Sequence, residues 1–438
     1  MLQTLHWLLR PISFLESSRR RFGDTFSVRF LGFRRPMVML SDPEAIRALY
    51  SNPENGLPPG RTLALLPILG SRSLLLLEGR EHLARRRLML PPFHGARMRA
   101  YESTVREVVA RDVESWPERE PFAIHPSMQR VTLEVILRAV FGVTDPARRA
   151  RLADHLGRLL AETASIGLQF AVLTSRRFGA PDPLMRLQGL RREIDGMLDL
   201  EIAERRADPR EDILSMLVAA RFEGGEPMED AEIRDQLMTL LVAGHETTAT
   251  GLAWTFDLLV RHPAVLERLV AEVDAGEQAY ARAVVSESLR LRPVVPLAGR
   301  RLAAPLRVDG YVLPAGTDVT PAIWLAHTRA DRYPEPFAFR PERFLDGAPA
   351  TSAWVPFGGG VRRCIGAAFA EMEMRVALTE ILRHRTLRAA SGKAEHVARR
   401  NVTFSPAGGT RVIAETRDPA AAPGYDGGTA SGAERLPA

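Results

Sequence analysis

The chain contains a single cysteine, Cys364, in the run Phe357-Gly358-Gly359-Gly360-Val361-Arg362-Arg363-Cys364-Ile365-Gly366. A lone cysteine ordinarily behaves as a small hydrophobe. Here three successive glycines let the backbone come close to a flat ligand, and the amides of a loop that leads into a helix can stabilise a negatively charged sulfur. A thiolate ligand fits those surroundings. With no second cysteine in the chain, an intramolecular disulfide is excluded.

A second chemical segment is Ala243-Gly244-His245-Glu246-Thr247-Thr248, set in a long apolar stretch with leucines at 237, 240, 241, 252, 258 and 259. The leucines predict a largely buried helix, in which a carboxylate and two β-branched hydroxyl residues need partners. A bond from the Thr247 hydroxyl to the carbonyl of Ala243, four residues back, would loosen the helix ladder and open a groove there. Glu287 and Arg290 stand three apart, on one helical face, as an intrahelical ion pair does.

The order Phe357, two residues, Gly360, one, Arg362, one, Cys364, one, Gly366 resembles the haem-binding loop of the cytochrome P-450 family, and further motifs follow the family's order over nearly the whole chain. The resemblance implies haem b as cofactor and Cys364 as the axial ligand to its iron. It gives Glu246 a proton-relay role and Thr247 a hydrogen bond to oxygen, both catalytic, and reads His245 as a spacer. Haem contacts are implied for Ala243, Phe357, Gly358, Arg362 and Gly366, and its propionates would meet His82, Arg86 and Arg300, with Arg301 the alternative to Arg300. Glu287, Arg290 and Arg343, the last from Pro341-Glu342-Arg343-Phe344, match the family's structural triad.

The substrate side, by the same resemblance, comprises the loop 65–76, the region 165–183, the long helix, 294–297 and the turn 402–404, with Leu66, Leu69, Val295, Leu297 and Thr403 as pocket candidates. Linings so rich in aliphatic side chains favour an apolar substrate of terpenoid, steroid, fatty-acid or polyketide type. The implied activity is insertion of one atom of O2, as hydroxylation or epoxidation. No Gly-x-Gly-x-x-Gly follows a strand, so electrons are expected from a separate ferredoxin and ferredoxin reductase. Arg85 or Arg87, with Arg362 and Arg363, would present positive charge to that carrier. The other readings are a haem protein that binds or senses without turnover and a peroxide-driven oxygenase; the acid-threonine pair argues against the second.

The resemblance implies a mainly α fold with small β-sheets (α+β), the haem lying between a long central helix and the cysteine loop with its helix. Helices are predicted over 98–116, 126–141, 147–162, 183–207 and 230–261, hairpins over 25–30 with 37–40 and over 306–308 with 311–313, and a final strand pair over 401–414. One domain is expected over 1–417, followed by a disordered tail, 418–438, rich in Gly, Ala and Pro. The start of the chain is interrupted by Arg10 and Pro11 well short of the ~20 apolar residues that span a bilayer, so a cytoplasmic monomer without a membrane anchor is expected. The net charge of +6 comes almost wholly from arginine, lysine appearing once, at Lys393. Those arginines are interleaved with acids instead of forming a stripe, which argues against nucleic acid.

Overall fold

The computed structural model describes residues 2–31, 35–58, 66–95, 97–164, 185–345, 352–400 and 402–417. The expectations for the region 165–183 and for the tail 418–438 lie outside them. The architecture is mainly helical with four small sheets. No described helix is long and apolar enough to cross a membrane.

The dominant element is the helix Asp230–Val260, 31 residues long and so about 46 Å from end to end. Acidic Asp230 and Glu232 occupy its first turn, where they complement the positive end of the helix dipole. A helix apolar on all sides must be enclosed. From Asp235 to Val260 every residue is buried apart from 242–244, 246 and 247. That single break in burial coincides with the polar segment.

The chain groups into two compact units, Met1–Pro58 with Val105–Val131 and Thr247–Ala438, and Pro59–Thr104 with Thr132–Glu246. In the first, strands Thr25–Val28 and Met37–Leu40 form the antiparallel hairpin, and Met37–Leu40 pairs in parallel with Asp318–Pro321, which pairs in turn with Arg300–Arg301. Aromatic side chains Trp7, Phe14, Phe26, Phe30, Trp324 and Phe404 share one core cluster there. In the second unit, helices Pro146–Ala164, Met185–Ala207 and Ile213–Ala219 gather around fully buried Arg205, whose Nε donates to Asp212 at 2.7 Å.

One expectation is corrected. The closing strands do not pair with each other: Thr403–Pro406 pairs with Val397–Arg400, whereas Arg411–Thr416 joins Arg385–Ala389 and Pro121–Ala123. Gly409 and Thr410, at φ of 71° and 57°, turn the chain from one sheet to the other, a conformation glycine adopts without strain. Asp230–Val260 stays α-helical through residues 243–248, and the departure from α geometry is a π turn at Ile136–Val140.

Glu287 and Arg290 are fully buried and joined twice, at 2.6 and 2.8 Å, and Arg343 approaches the same carboxylate at 3.3 Å. The remaining Arg290 donors reach the carbonyls of His327, Pro336 and Ala338. One carboxylate thus compensates two guanidiniums. Glu287→Gln removes that compensation, so the variant should lose about 3–5 kcal/mol of stability, read as a lower urea midpoint of the haem-loaded protein; a midpoint within error of wild type would contradict this role.

Candidate active site

The cysteine loop is shaped by what lies against its glycines. Gly358 and Gly360 have φ of 67° and 65°. A Cβ on Gly359 would stand 2.4 Å from the Tyr50 ring, and one on Gly360 would stand 2.2 Å from the Tyr50 carbonyl oxygen. Tyr50 ends the helix Pro43–Ser51, so this helix and the loop pass at backbone contact. Arg300 closes the same corner, with its guanidinium over the Tyr50 ring at 5.0 Å and an Nη2 bond to the Gly359 carbonyl of 3.2 Å. Arg301 is turned away, bonded through two nitrogens to Asp318 at 2.8 and 2.9 Å.

Past the glycines the chain makes a tight turn at Gly360–Arg362, and the Cys364 amide donates to the Phe357 carbonyl at 2.9 Å. Cys364 is exposed, and Gly366 caps the helix Ala367–His384 immediately beyond it. Arg362 is half-buried and Arg363 exposed. Phe357 stacks edge-on against Trp354 at 6.1 Å, and Trp354 in turn against Phe344 at 5.8 Å.

The helix Ala367–His384 packs on the long helix where a Cβ on Gly251 would lie 3.0 Å from the Met374 methyl. Gly251 is four residues past Thr247 and therefore on the same helical face. Thr247 and Glu246 are half-buried and Ala243 is exposed.

Within the second unit, His245 is buried. The Thr132 hydroxyl lies 2.9 Å from its Nδ1 and donates to its carbonyl oxygen at 3.1 Å. Having given its one proton to the carbonyl, the hydroxyl accepts from Nδ1–H, and burial pushes the imidazole down to about 4. His245 is thus a neutral anchor between two helices. Ile136, at the start of the π turn, lies 3.3 Å from where a Gly244 Cβ would be.

The loop beyond residue 66 is stitched to the long helix. The Arg72 amide donates to Asp235 at 3.0 Å, Gln236 bonds both the Leu74 amide and the Arg72 carbonyl, and Ser73 meets Thr239 at 2.6 Å. Gly70 is required there, because a Cβ would fall 1.9 Å from an Asp235 oxygen. Of the pocket candidates, Leu66 is exposed, Leu69 fully buried, Val295 and Leu297 half-buried, and Thr403 buried with its hydroxyl bonded to the Arg400 carbonyl. His82 is buried and Arg86 half-buried on the helix Gly79–Met89.

One functional connection had no signal in the sequence. His327 is fully buried; its Nδ1 donates to the Arg290 carbonyl at 3.1 Å, and its Nε2 accepts the Val355 amide at 2.9 Å. It ties the Glu287–Arg290 helix to the strand of chain that enters the cysteine loop. Its partners stand 37 and 28 residues away in sequence, with no local pattern to announce them.

These residues fit haem. Among the described residues no group of three His, Cys, Asp or Glu could hold a metal ion. The loop offers a thiol on a glycine-floored surface with arginines near it.

The comparisons agree. The cytochrome P-450 family profile matches residues 2–406. A Mycobacterium tuberculosis protein provisionally named cytochrome P-450 135B1 is 42% identical over 430 residues, covering 95% of this chain and 90% of the relative. The crystal structure of the cytochrome P450DA haem domain superposes with a TM-score of 0.82 at 24% identity, over 95% of this chain and 96% of that one. A cyanobacterial structure, retinoic acid-bound CYP120A1, gives 0.79 at 25% identity with the same coverage. The chain belongs to the cytochrome P-450 family. It is a haem monooxygenase, and iron protoporphyrin IX is its cofactor.

Two of the buried histidines, His245 and His327, make stability depend on acid. Burial, with the Arg290 charge beside it, lowers His327 from 6.5 to about 3. Below about pH 6.5 the unfolded chain takes up a proton that the folded chain refuses until about pH 3, so stability falls as pH falls through that window. His327→Gln removes the contribution of His327 and leaves that of His245. The slope of the unfolding midpoint between pH 6.5 and 4 should become shallower; an unchanged slope would show that His327 is protonated in the folded protein.

Proposed function

We propose that Cys364 is the thiolate ligand of the haem and that Glu246 and Thr247 manage protons on its opposite face, in a single haem domain spanning residues 1–417. The observation that carries this reading is the break in burial at 242–247, one helical turn before the Gly251–Met374 contact that docks the cysteine helix. The unbroken family match over residues 2–406 favours one domain.

Haem ligated by a thiolate supplies the redox chemistry that activates O2, the sulfur favouring O–O cleavage. The chain's own residues prepare for it. Cys364 sits at the start of a helix, where the dipole favours the deprotonated sulfur. By the family resemblance, Ala243, Phe357, Gly358 and Gly366 would contact the haem. His82, Arg86, Arg300 and Arg362 would pair with the propionates. Between the two adjacent arginines, Arg300 suits this role because Arg301 is committed to Asp318. The Thr247 hydroxyl would donate a hydrogen bond toward oxygen, and the Glu246 carboxylate would relay protons to it from water. The Thr132–His245 anchor fixes the rotation of the helix on which both stand.

The reading takes an apolar substrate, hydroxylated or epoxidised, with Leu66, Leu69, Val295, Leu297 and Thr403 at or near the pocket. The retinoic acid held by the cyanobacterial structure is in keeping with that class. Electrons would come from ferredoxin and its reductase in the cytoplasm, the enzyme acting as a monomer. Of the arginines expected to face the carrier, Arg85 is paired with buried Glu232 at 2.8 Å and Arg87 with Glu223, and Arg363 is exposed beside Cys364.

Thr247→Ala separates oxygen chemistry from haem binding. The variant should keep its haem and its ferrous-CO spectrum, consume reductant at a comparable rate, and yield several-fold less product per reductant with a matching rise in released hydrogen peroxide. Unchanged coupling on a turned-over substrate would refute the role of Thr247, and with it the proton path through Glu246.

A further inference from the structure

The helix Leu2–Leu9, in the first unit, carries apolar side chains on two opposite faces. Its inner face is committed. Trp7 is buried and meets the rings of Phe14, Phe30 and Phe404 at centroid distances of 5.9, 5.7 and 5.7 Å. Gln3 Oε1 accepts the Arg29 amide at 3.0 Å, and the Thr4 hydroxyl accepts the Leu31 amide at 2.8 Å. Residues 3, 4 and 7 share one helical face, so these contacts fix the rotation of the helix. The opposite face follows from that: Leu2, Leu5 and Leu9, spaced by three and four, are 84%, 50% and 70% exposed. Leu8 is exposed beside them, and Leu31, 72% exposed, stands next to Thr4.

Charge is concentrated at the same place. Over the chain as a whole arginines alternate with acids, but residues 1–35 hold seven arginines against two acids, Glu16 and Asp24. Five of the chain's six net positive charges therefore lie there. Arg19 and Asp24 offset each other at 2.7 Å. Arg10 follows Leu9 directly, and Arg29 is tied to Gln3 through its amide. Both are exposed, and no carboxylate among the described residues forms an ion pair with either. Arg20, Arg21 and Arg35 are exposed as well.

Single exposed leucines need no explanation, but a contiguous apolar face marks an interaction site. Here the leucines recur at helical spacing, are held outward by a fixed inner face, and are fringed by unpaired arginines. A symmetric dimer through this face would set the same positive fringe against itself. An anionic bilayer surface satisfies both features, because leucines enter the boundary between headgroups and acyl chains while arginines reach lipid phosphates. We propose that the outer face of Leu2–Leu9, with Leu31, Arg10 and Arg29, docks this protein on an anionic membrane surface. The contact lies in the plane of the bilayer and does not cross it, since Arg10 and Pro11 end the apolar run and no described helix can span. With so short a helix the binding is reversible and needs leucines and arginines together. It does not depend on how the haem chemistry is assigned.

The test is flotation of the haem-loaded protein with vesicles of phosphatidylcholine alone and of phosphatidylcholine mixed with phosphatidylglycerol. The expected result is binding to the mixed vesicles that weakens as salt rises, with affinity for phosphatidylcholine alone lower by about tenfold. Leu5→Glu with Leu9→Glu should abolish binding. Arg10→Gln with Arg29→Gln should lower affinity for the mixed vesicles by about tenfold and flatten the salt dependence. All four positions are exposed, so both variants should keep wild-type haem content and unfolding midpoint. Should the glutamate pair fail to hold haem, Leu5→Ser with Leu9→Ser decides by the same readout. Absence of binding to the mixed vesicles, equal binding to both vesicle types, or binding that survives the leucine substitutions would each overturn the proposal. A dimer in sedimentation equilibrium that dissociates in the leucine variant would assign this face to a second copy instead.

Discussion

The candidate site depends on a place where two backbones touch. The loop that carries Cys364 passes the end of the helix Pro43–Ser51 so closely that a methyl group on Gly360 would meet the Tyr50 carbonyl at 2.2 Å. Only glycine satisfies both that approach and the positive φ of 65°. The contact leaves the loop no freedom to sink into the core. Cys364 is presented outward, at the start of its helix, instead of being buried as a lone cysteine usually is.

Around that contact, rigidity is supplied by buried polar groups that are almost fully partnered. The Glu287–Arg290–Arg343 network reaches the loop through His327, whose two ring nitrogens are both committed, one as donor and one as acceptor. A neutral imidazole is required by that arrangement, which is why burial can hold its pKa so low without leaving an uncompensated charge. His245 plays a parallel part in the long helix, bonded to Thr132 beside the two residues assigned to proton handling. In both cases a histidine next to the chemistry serves geometry, fixing what its neighbours can do.

What was legible in the sequence follows from the range of each interaction. The long helix, the N-terminal hairpin and the pairing of Glu287 with Arg290 are written in local periodicity or in spacings of two to four residues. The cysteine loop announced itself because its glycines and thiol are contiguous. Contacts between distant segments carried no such mark. The partners of His327, Tyr50 and Thr132 are set by tertiary packing, and the partner of His245 stands 113 residues earlier. The closing strands were joined to each other by proximity in sequence, whereas the structure sends them to different sheets. The choice between Arg300 and Arg301 was likewise out of reach of spacing, since it turns on Asp318, which lies across the sheet.

The central claim is that Cys364 holds the haem iron through sulfur. Cys364→Ser keeps the volume and the loop while replacing a soft, electron-donating ligand with a hard one. The decisive measurement is the ferrous-CO difference spectrum of this variant reconstituted with haem, beside wild type. The account predicts the red-shifted Soret band of thiolate ligation in wild type and its complete loss in whatever haem the variant retains. A variant that kept this band undiminished would show that the sulfur of Cys364 is not the ligand.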